Sequence, residues 1–234
     1  MYLNIKIKED FRTLKANQEY NFDFSEKGWH LIVGDNGCGK STLLNTVRSF
    51  KCDNVDDRTC SDYDMKLMYG SINSFKDKVE IDTDFEKFYF ISSEFDDPRA
   101  LDNCASAEAL IKHGGLATKN LSNGQRHLSA LALWIEENKK EWDEKTLLVF
   151  DEADRGFGLK YQAGMVRMFD NFFKKYKAKS LAASHYSLPI LLTDKVYWFE
   201  KRRFVPSDLY ILFETGYMFE TPKLIGEKIN RRER

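Results

Sequence analysis

The stretch "GDNGCGKST", Gly34 to Thr42, combines closely spaced glycines with a lysine and two hydroxyls. Glycines without Cβ atoms let several backbone N–H groups converge on one anion, which a chain of larger residues would block. The segment fits G-x-x-x-x-G-K-[ST] from Gly34 to Ser41, with the apolar run "WHLIV" before it and a helix-forming run after it. That context is what a phosphate loop requires. Asn36, Gly37, Cys38, Gly39, Lys40, Ser41 and Thr42 are the expected phosphate contacts. Lys40 brings positive charge to β- and γ-phosphate oxygens, and the Ser41 hydroxyl is a Mg²⁺ ligand.

Further along, "TLLVFDEAD" places Asp151 and Glu152 at the end of an apolar strand, the edge at which α/β sheets bind ligands. Asp151 suits a Mg²⁺ site, and Glu152 suits a base that orients and deprotonates an attacking water. His185 ends the run "SLAAS" in the same way, within reach of a γ-phosphate as a hydrogen-bond donor. Asp154 reads equally well as a functional residue and as a turn or helix-capping residue. His30, His113 and His127 have no such placement.

A second cradle lies in "KNLSNGQRHLSAL", residues 119–131. Ser122, Gly124 and the free N–H groups of a helix start form an anion site. It carries no lysine and no metal ligand of its own, so it suits a phosphate presented by another chain. A two-fold dimer would complete both sites at once.

The elements needed to position these groups are legible as patterns. Residues 2–8 and 18–24 alternate as half-buried strands do, and 29–33, 87–91, 146–150, 180–184 and 195–199 are further strands. Helices are expected over 40–50, 105–113, 123–138 and 159–176, and residues 51–85 form a polar, variable lobe with a short strand or two. Buried strands alternating with helices imply an α/β fold with a mostly parallel sheet and an antiparallel N-terminal part. The 234 residues fit one domain, 1–234, with a lobe at about 51–140 inserted between the phosphate loop and the acidic pair.

The chain is 42% hydrophobic and 31% charged, the balance of a soluble globule, and its net charge of −1 gives no global attraction to nucleic acid or acidic lipid. "EKRR" (200–203) and "NRRER" (230–234) read as solvated surface, with a polyanion partner for the tail left open. Cys38, Cys52, Cys60 and Cys104 show no metal spacing, so a reduced, cytoplasmic chain is expected. Neither a signal-peptide pattern nor an apolar run near the ~18 residues of a spanning helix occurs, so direct membrane insertion is not expected.

Taken together, the phosphate loop, "LSNGQ", "LLVFDE", Asp154 and His185 resemble the ATP-binding-cassette (ABC) ATPases in order and spacing. "LSNGQ" (Leu121, Ser122, Asn123, Gly124, Gln125) is similar to that family's LSGGQ signature with Asn123 for one glycine. The resemblance implies a P-loop NTPase fold with a helical signature lobe, ATP and Mg²⁺ as ligands, and ATP hydrolysis to ADP and phosphate. It also implies an ATP-dependent head-to-tail homodimer, each ATP lying between one subunit's phosphate loop and the other's signature, with Asp154 at the dimer face. Glu152, His185 and Lys40 would be the catalytic groups.

The entry sequence "IKIKEDFRTLKANQEYNFDF" looks like the SMC/RecF and recombination-repair branch. In that branch the arginine matched by Arg12 approaches the nucleotide phosphates; an exposed strand-end arginine is the alternative. A compact head without coiled coil follows, switching contact with a partner protein or nucleic acid in settings such as DNA repair or phage–host defence. The ATPase subunit of a membrane transporter is the rival reading, and a non-hydrolysing ATP-bound regulator a third. The family's usual Gln before the signature is missing, since no Gln occurs from 43 to 124; Ser92, Ser93 or Glu94 stands at that strand end. Phe11, Tyr20, Phe22 and Phe24 are all available for adenine stacking.

Overall fold

The computed structural model of the chain describes residues 1–51, 77–92, 131–132, 135–136, 138–152, 157–185 and 187–219. Its strands are β1 (Tyr2–Ile7), β2 (Glu19–Asp23), β3 (Trp29–Val33), β4 (Val79–Thr83), β5 (Lys87–Ser92), β6 (Thr146–Asp151), β7 (Lys179–Ala183), β8 (Lys195–Trp198) and β9 (Arg203–Pro206). The helices are α1 (Lys40–Lys51), α2 (Leu159–Tyr176), α3 (Ser187–Leu191) and α4 (Ser207–Phe219). Residues 131–132, 135–136 and 138 are also helical, within the span expected from the amphipathic pattern.

Two sheets organise these elements. β2-β1-β4 is antiparallel, and β5-β6-β7-β3-β8-β9 is parallel apart from the β8–β9 pair. The patterns explain which strand goes where. β1 alternates, burying Leu3, Ile5 and Ile7 while Tyr2 and Lys6 face outward, as one-sided burial demands. β3 and β6 are buried at every position, because a central parallel strand is covered on both faces.

Each face of the large sheet has its own core. On one side Leu31, Val33, Leu148, Phe150 and Ala182 meet Met165, Val166, Phe169 and Phe172 of α2. On the other, Ile32, Leu147, Val149, Leu181 and Tyr197 pack against α1 and the three-stranded sheet through Leu43, Leu44, Val47, Leu3, Ile5, Tyr20 and Phe22. The spacing of the α2 core residues is the 3–4 repeat of a helix that buries one stripe. Lys177, in the left-handed region at φ 61°, ends α2 by donating its N–H to the Phe173 carbonyl at 3.0 Å.

Strand and helix expectations hold closely: β3 and α2 match to the residue and the other expected strands within one or two. β9, α3 and α4 were not anticipated. α3 is a five-residue helix containing Pro189, and α4 has almost no amphipathic contrast, so neither carries a strong periodic signal. β4 and β5 lie within the span assigned to the inserted lobe, yet they pair with β1 and β6 in the two sheets. The helix expected at 105–113, most of that at 123–138 and the tail from 220 fall outside the described residues.

His30, left unassigned from sequence, is a core residue. Its ring packs against Phe24 and Phe204, and Nε2 lies 2.7 Å from the Asp23 carbonyl. Burial depresses its pKa to about 4, which keeps the imidazole neutral. The unfolded chain takes up a proton near pH 6.5, so stability from this group is intact above that value and declines as pH falls towards 4. The unfolding free energy from urea titrations should drop by about 3 kcal/mol over that window through His30. His30→Gln should make the decline visibly shallower; an unchanged slope would remove His30 as its source.

Candidate functional site

β3 stops at Val33, and the chain turns through the glycine-rich segment into α1. Gly39 adopts φ 118°, and a Cβ there would collide with Thr13 Oγ1 and approach Leu14 and Phe199. Only glycine permits this close approach of the entry turn to the loop. The Lys40 side chain is buried, with 3% exposure, and donates to the Gly34 carbonyl at 2.8 Å and the Asp35 carbonyl at 2.9 Å. Two carbonyls thus satisfy the ammonium and hold it under the loop.

Ser41 lies in the first turn of α1, and its hydroxyl donates to Asp151 Oδ1 at 2.9 Å. Asp151 is the last residue of β6 and is 8% exposed. Glu152 follows with φ 50°, in the left-handed region, an unusual state for a residue with a side chain. Its N–H is held by the Ala183 carbonyl at 3.1 Å, and its Oε1 lies 2.8 Å from His185 Nε2. The backbone turn therefore aims the carboxylate out of the sheet and towards the histidine.

One cavity of about 550 Å³ is lined by Arg12, Thr13, Lys40, Ser41, Glu152 and His185 among others, while Asp151 lies behind Ser41 and does not line it. Asn36, Gly37, Gly39 and Thr42 complete the lining. Cys38 lies in the same loop but is not among the lining residues; its sulfur is 3.7 Å from Lys40 Nζ, and burial pushes its pKa up. The site thus combines a cation, backbone donors, a hydroxyl–carboxylate pair, and a carboxylate–imidazole pair. That set can bind a polyphosphate and place a base beside it. One carboxylate and one hydroxyl form too sparse a cage for Mg²⁺ alone, but suit a Mg²⁺ that completes its shell with phosphate oxygens and water.

Most of the residues singled out from the motifs therefore converge. Arg12 is exposed and also lines the cavity, at a turn with φ 52° bridged by Phe11–Leu14 pairing. Of the four aromatics considered for adenine stacking, Tyr20, Phe22 and Phe24 are each 1% exposed and belong to the core. Phe11 alone of the four keeps partial exposure. Leu121, Ser122, Asn123, Gly124, Gln125 and Asp154 fall outside the described residues, as do Ser93 and Glu94. Thr13, the residue after Arg12, is a lining residue that no motif indicated.

Three comparisons with known proteins bear on this geometry. The family model described as ABC transporter matches residues 17–155. The taurine import ATP-binding protein TauB of Rhizobium johnstonii is 46% identical over 39 residues, which span 17% of this chain and 15% of that protein. A metal-chelate type ABC transporter solved in an inward-facing conformation aligns with TM-score 0.50 and 16% identity, over 87% of this chain and 81% of the other. CbiO1 from Clostridium perfringens, part of the ABC transporter complex cbiONQ, aligns with TM-score 0.49 and 16% identity over 97% and 98% of the two chains. At that identity the structural likeness is one of fold, a P-loop NTPase with a mixed, mostly parallel sheet.

Lys40→Met keeps the length of the side chain and removes its charge. ATP affinity measured by titration calorimetry should fall about a hundredfold, roughly 3 kcal/mol. Unchanged affinity would place the nucleotide elsewhere.

Proposed function

The chain belongs to the ABC transporter family, and from that premise we propose that it is an ATP-binding, ATP-hydrolysing subunit. It would work as an ATP-dependent two-fold dimer coupled to the membrane components of a transporter. The observation that carries the catalytic part is the convergence of Lys40, Ser41, Glu152 and His185 on one cavity. The transporter setting is supported by the family and by the short, strong match to an import ATP-binding protein. No helix among the described residues is long and apolar enough to cross a membrane. In this reading, attachment runs through a partner protein on the cytoplasmic side.

In this reading Asn36, Gly37, Cys38, Gly39 and Thr42 supply backbone donors to the β- and γ-phosphates. Lys40 neutralises their charge from its buried position. Ser41 and Asp151 would hold Mg²⁺, which when bound polarises the phosphoryl group and offsets charge building on the leaving oxygen. Glu152 accepts the proton of the attacking water as the oxygen meets the γ-phosphorus in line. His185, hydrogen-bonded to Glu152 in the present arrangement, turns its N–H to the γ-phosphate. Leu121, Ser122, Asn123, Gly124 and Gln125 of the partner subunit close the nucleotide from the far side, with Asp154 at the dimer face. Hydrolysis then releases the dimer, because the shared anion that joined the two surfaces is cleaved.

A second reading is favoured by one observation: Arg12 lines the phosphate cavity together with Lys40. That placement suits a compact head of the SMC/RecF and recombination-repair type, whose dimerisation switches contact with a protein or nucleic acid in DNA repair or phage–host defence. The missing Gln between 43 and 124 points the same way. Sedimentation of the native protein separates the two settings. A transporter subunit should pellet with membranes and come off in alkaline wash, whereas a free switch should stay in the supernatant.

Glu152→Gln preserves shape and removes the base, so turnover should drop by about 10²–10⁴-fold while ATP still binds. Light scattering should then show a monomer becoming a dimer when ATP and Mg²⁺ are added. A variant that hydrolyses ATP at the wild-type rate would overturn the role of Glu152. Absence of the mass shift would overturn the ATP-dependent homodimer.

A further inference from the structure

We propose that Glu200 is a positioning residue of the phosphate loop. From the turn between β8 and β9, its carboxylate clamps the Gly34–Asp35 peptide against Lys40. The Asp35 N–H donates to Glu200 Oε1 at 2.7 Å. The carbonyl of the same peptide unit, that of Gly34, accepts from Lys40 Nζ at 2.8 Å. In a trans peptide the C=O and N–H point in opposite directions. One peptide plane therefore has a cation at its oxygen end and an anion at its hydrogen end, each aligned with its dipole. Rotation of that plane would break both charge-assisted bonds together.

One further contact supports the clamp. A Cβ on Gly34, which sits at φ 150°, would lie 2.5 and 2.8 Å from the two Glu200 oxygens. The first glycine of the loop thus makes room for this carboxylate as well as for the turn. The turn that carries Glu200 is itself fixed. Phe199 donates its N–H to the Val33 carbonyl at 2.9 Å, its ring stacks on Tyr20 at 5.1 Å, and its carbonyl accepts from Arg202 N–H at 3.1 Å. Glu200 is thereby held at the end of β3, where the phosphate loop begins.

The consequence is a loop shaped before ATP arrives, so less ordering has to accompany binding. All four residues of the charged run 200–203 are exposed, as expected of solvated surface, and one of them, Glu200, bonds to the phosphate loop. The inference rests on the ATPase reading, since it concerns affinity for ATP in the Lys40 cavity.

The test uses the full chain as wild type, Glu200→Ala and Glu200→Gln, with ATP–Mg²⁺ titrated by calorimetry and steady-state KM and kcat measured beside it. Glu200→Ala should raise Kd and KM about tenfold with kcat and thermal midpoint nearly unchanged. Glu200→Gln keeps an acceptor oxygen for the Asp35 N–H and should stay within about threefold of wild type. An alanine variant that binds ATP as wild type does, or a glutamine variant as weak as the alanine one, would overturn the clamp alone. A wild-type chain that binds no ATP would overturn the ATPase reading and the clamp with it.

Discussion

The parallel pairing of β3, β7 and β6 is the constraint on which the site depends. In that register Ile32 lies opposite Ala183, and Ala183 lies opposite Asp151. One row across the sheet therefore sets the height at which three separate segments leave it. Two residues beyond Ile32 the phosphate loop starts at Gly34; one beyond Asp151 stands Glu152; two beyond Ala183 stands His185. A slip of one residue in either pairing would exchange the two faces of a strand and move a cavity-lining group out of reach. The backbone bond from Glu152 N–H to the Ala183 carbonyl extends the ladder past the strand end, and it holds Glu152 in its left-handed conformation.

The second support comes from aromatic packing beneath the loop. Tyr20 stacks on Phe199, Phe22 packs on Tyr197, and Phe204 meets both Phe22 and Tyr197. Burial pushes the Tyr20 hydroxyl up to about 12, which marks how dry this layer is. The small antiparallel sheet thus does more than shield the large one. It presents the Arg12–Thr13 turn to Gly39, and it supports the β8–β9 turn from which Glu200 reaches the loop. Lys40 is buried against this apolar floor, where an unsatisfied ammonium would be costly, and the Gly34 and Asp35 carbonyls accept from it. Glu200 holds the same loop from the exposed side.

The family is established for a chain whose motifs depart from its usual pattern in two places, Asn123 in the signature and the missing Gln. Asn123 falls outside the described residues, while Lys40, Ser41, Glu152 and His185 line one cavity. Arg12 lines the same cavity from the turn that follows β1, outside the phosphate loop and the acidic pair.

The sequence by itself determined the elements whose signal is local. Continuous apolar runs bounded by turns placed β3 and β6, a 3–4 repeat placed α2, and a glycine pattern between strand and helix placed the phosphate loop. The acidic pair and His185 were legible because strand ends in an open α/β sheet are where ligands bind. What the tertiary structure decided was everything that needs two distant segments at once. Which of four aromatics stays partly exposed depended on which face of β2 meets the large sheet. That Thr13 and Glu200 reach the loop depended on a turn near residue 12 and another near residue 200 folding onto the end of β3. Sequence spacing carries periodicity along one chain segment, whereas side-chain convergence is set by sheet order and register, and those are fixed only when the whole core packs.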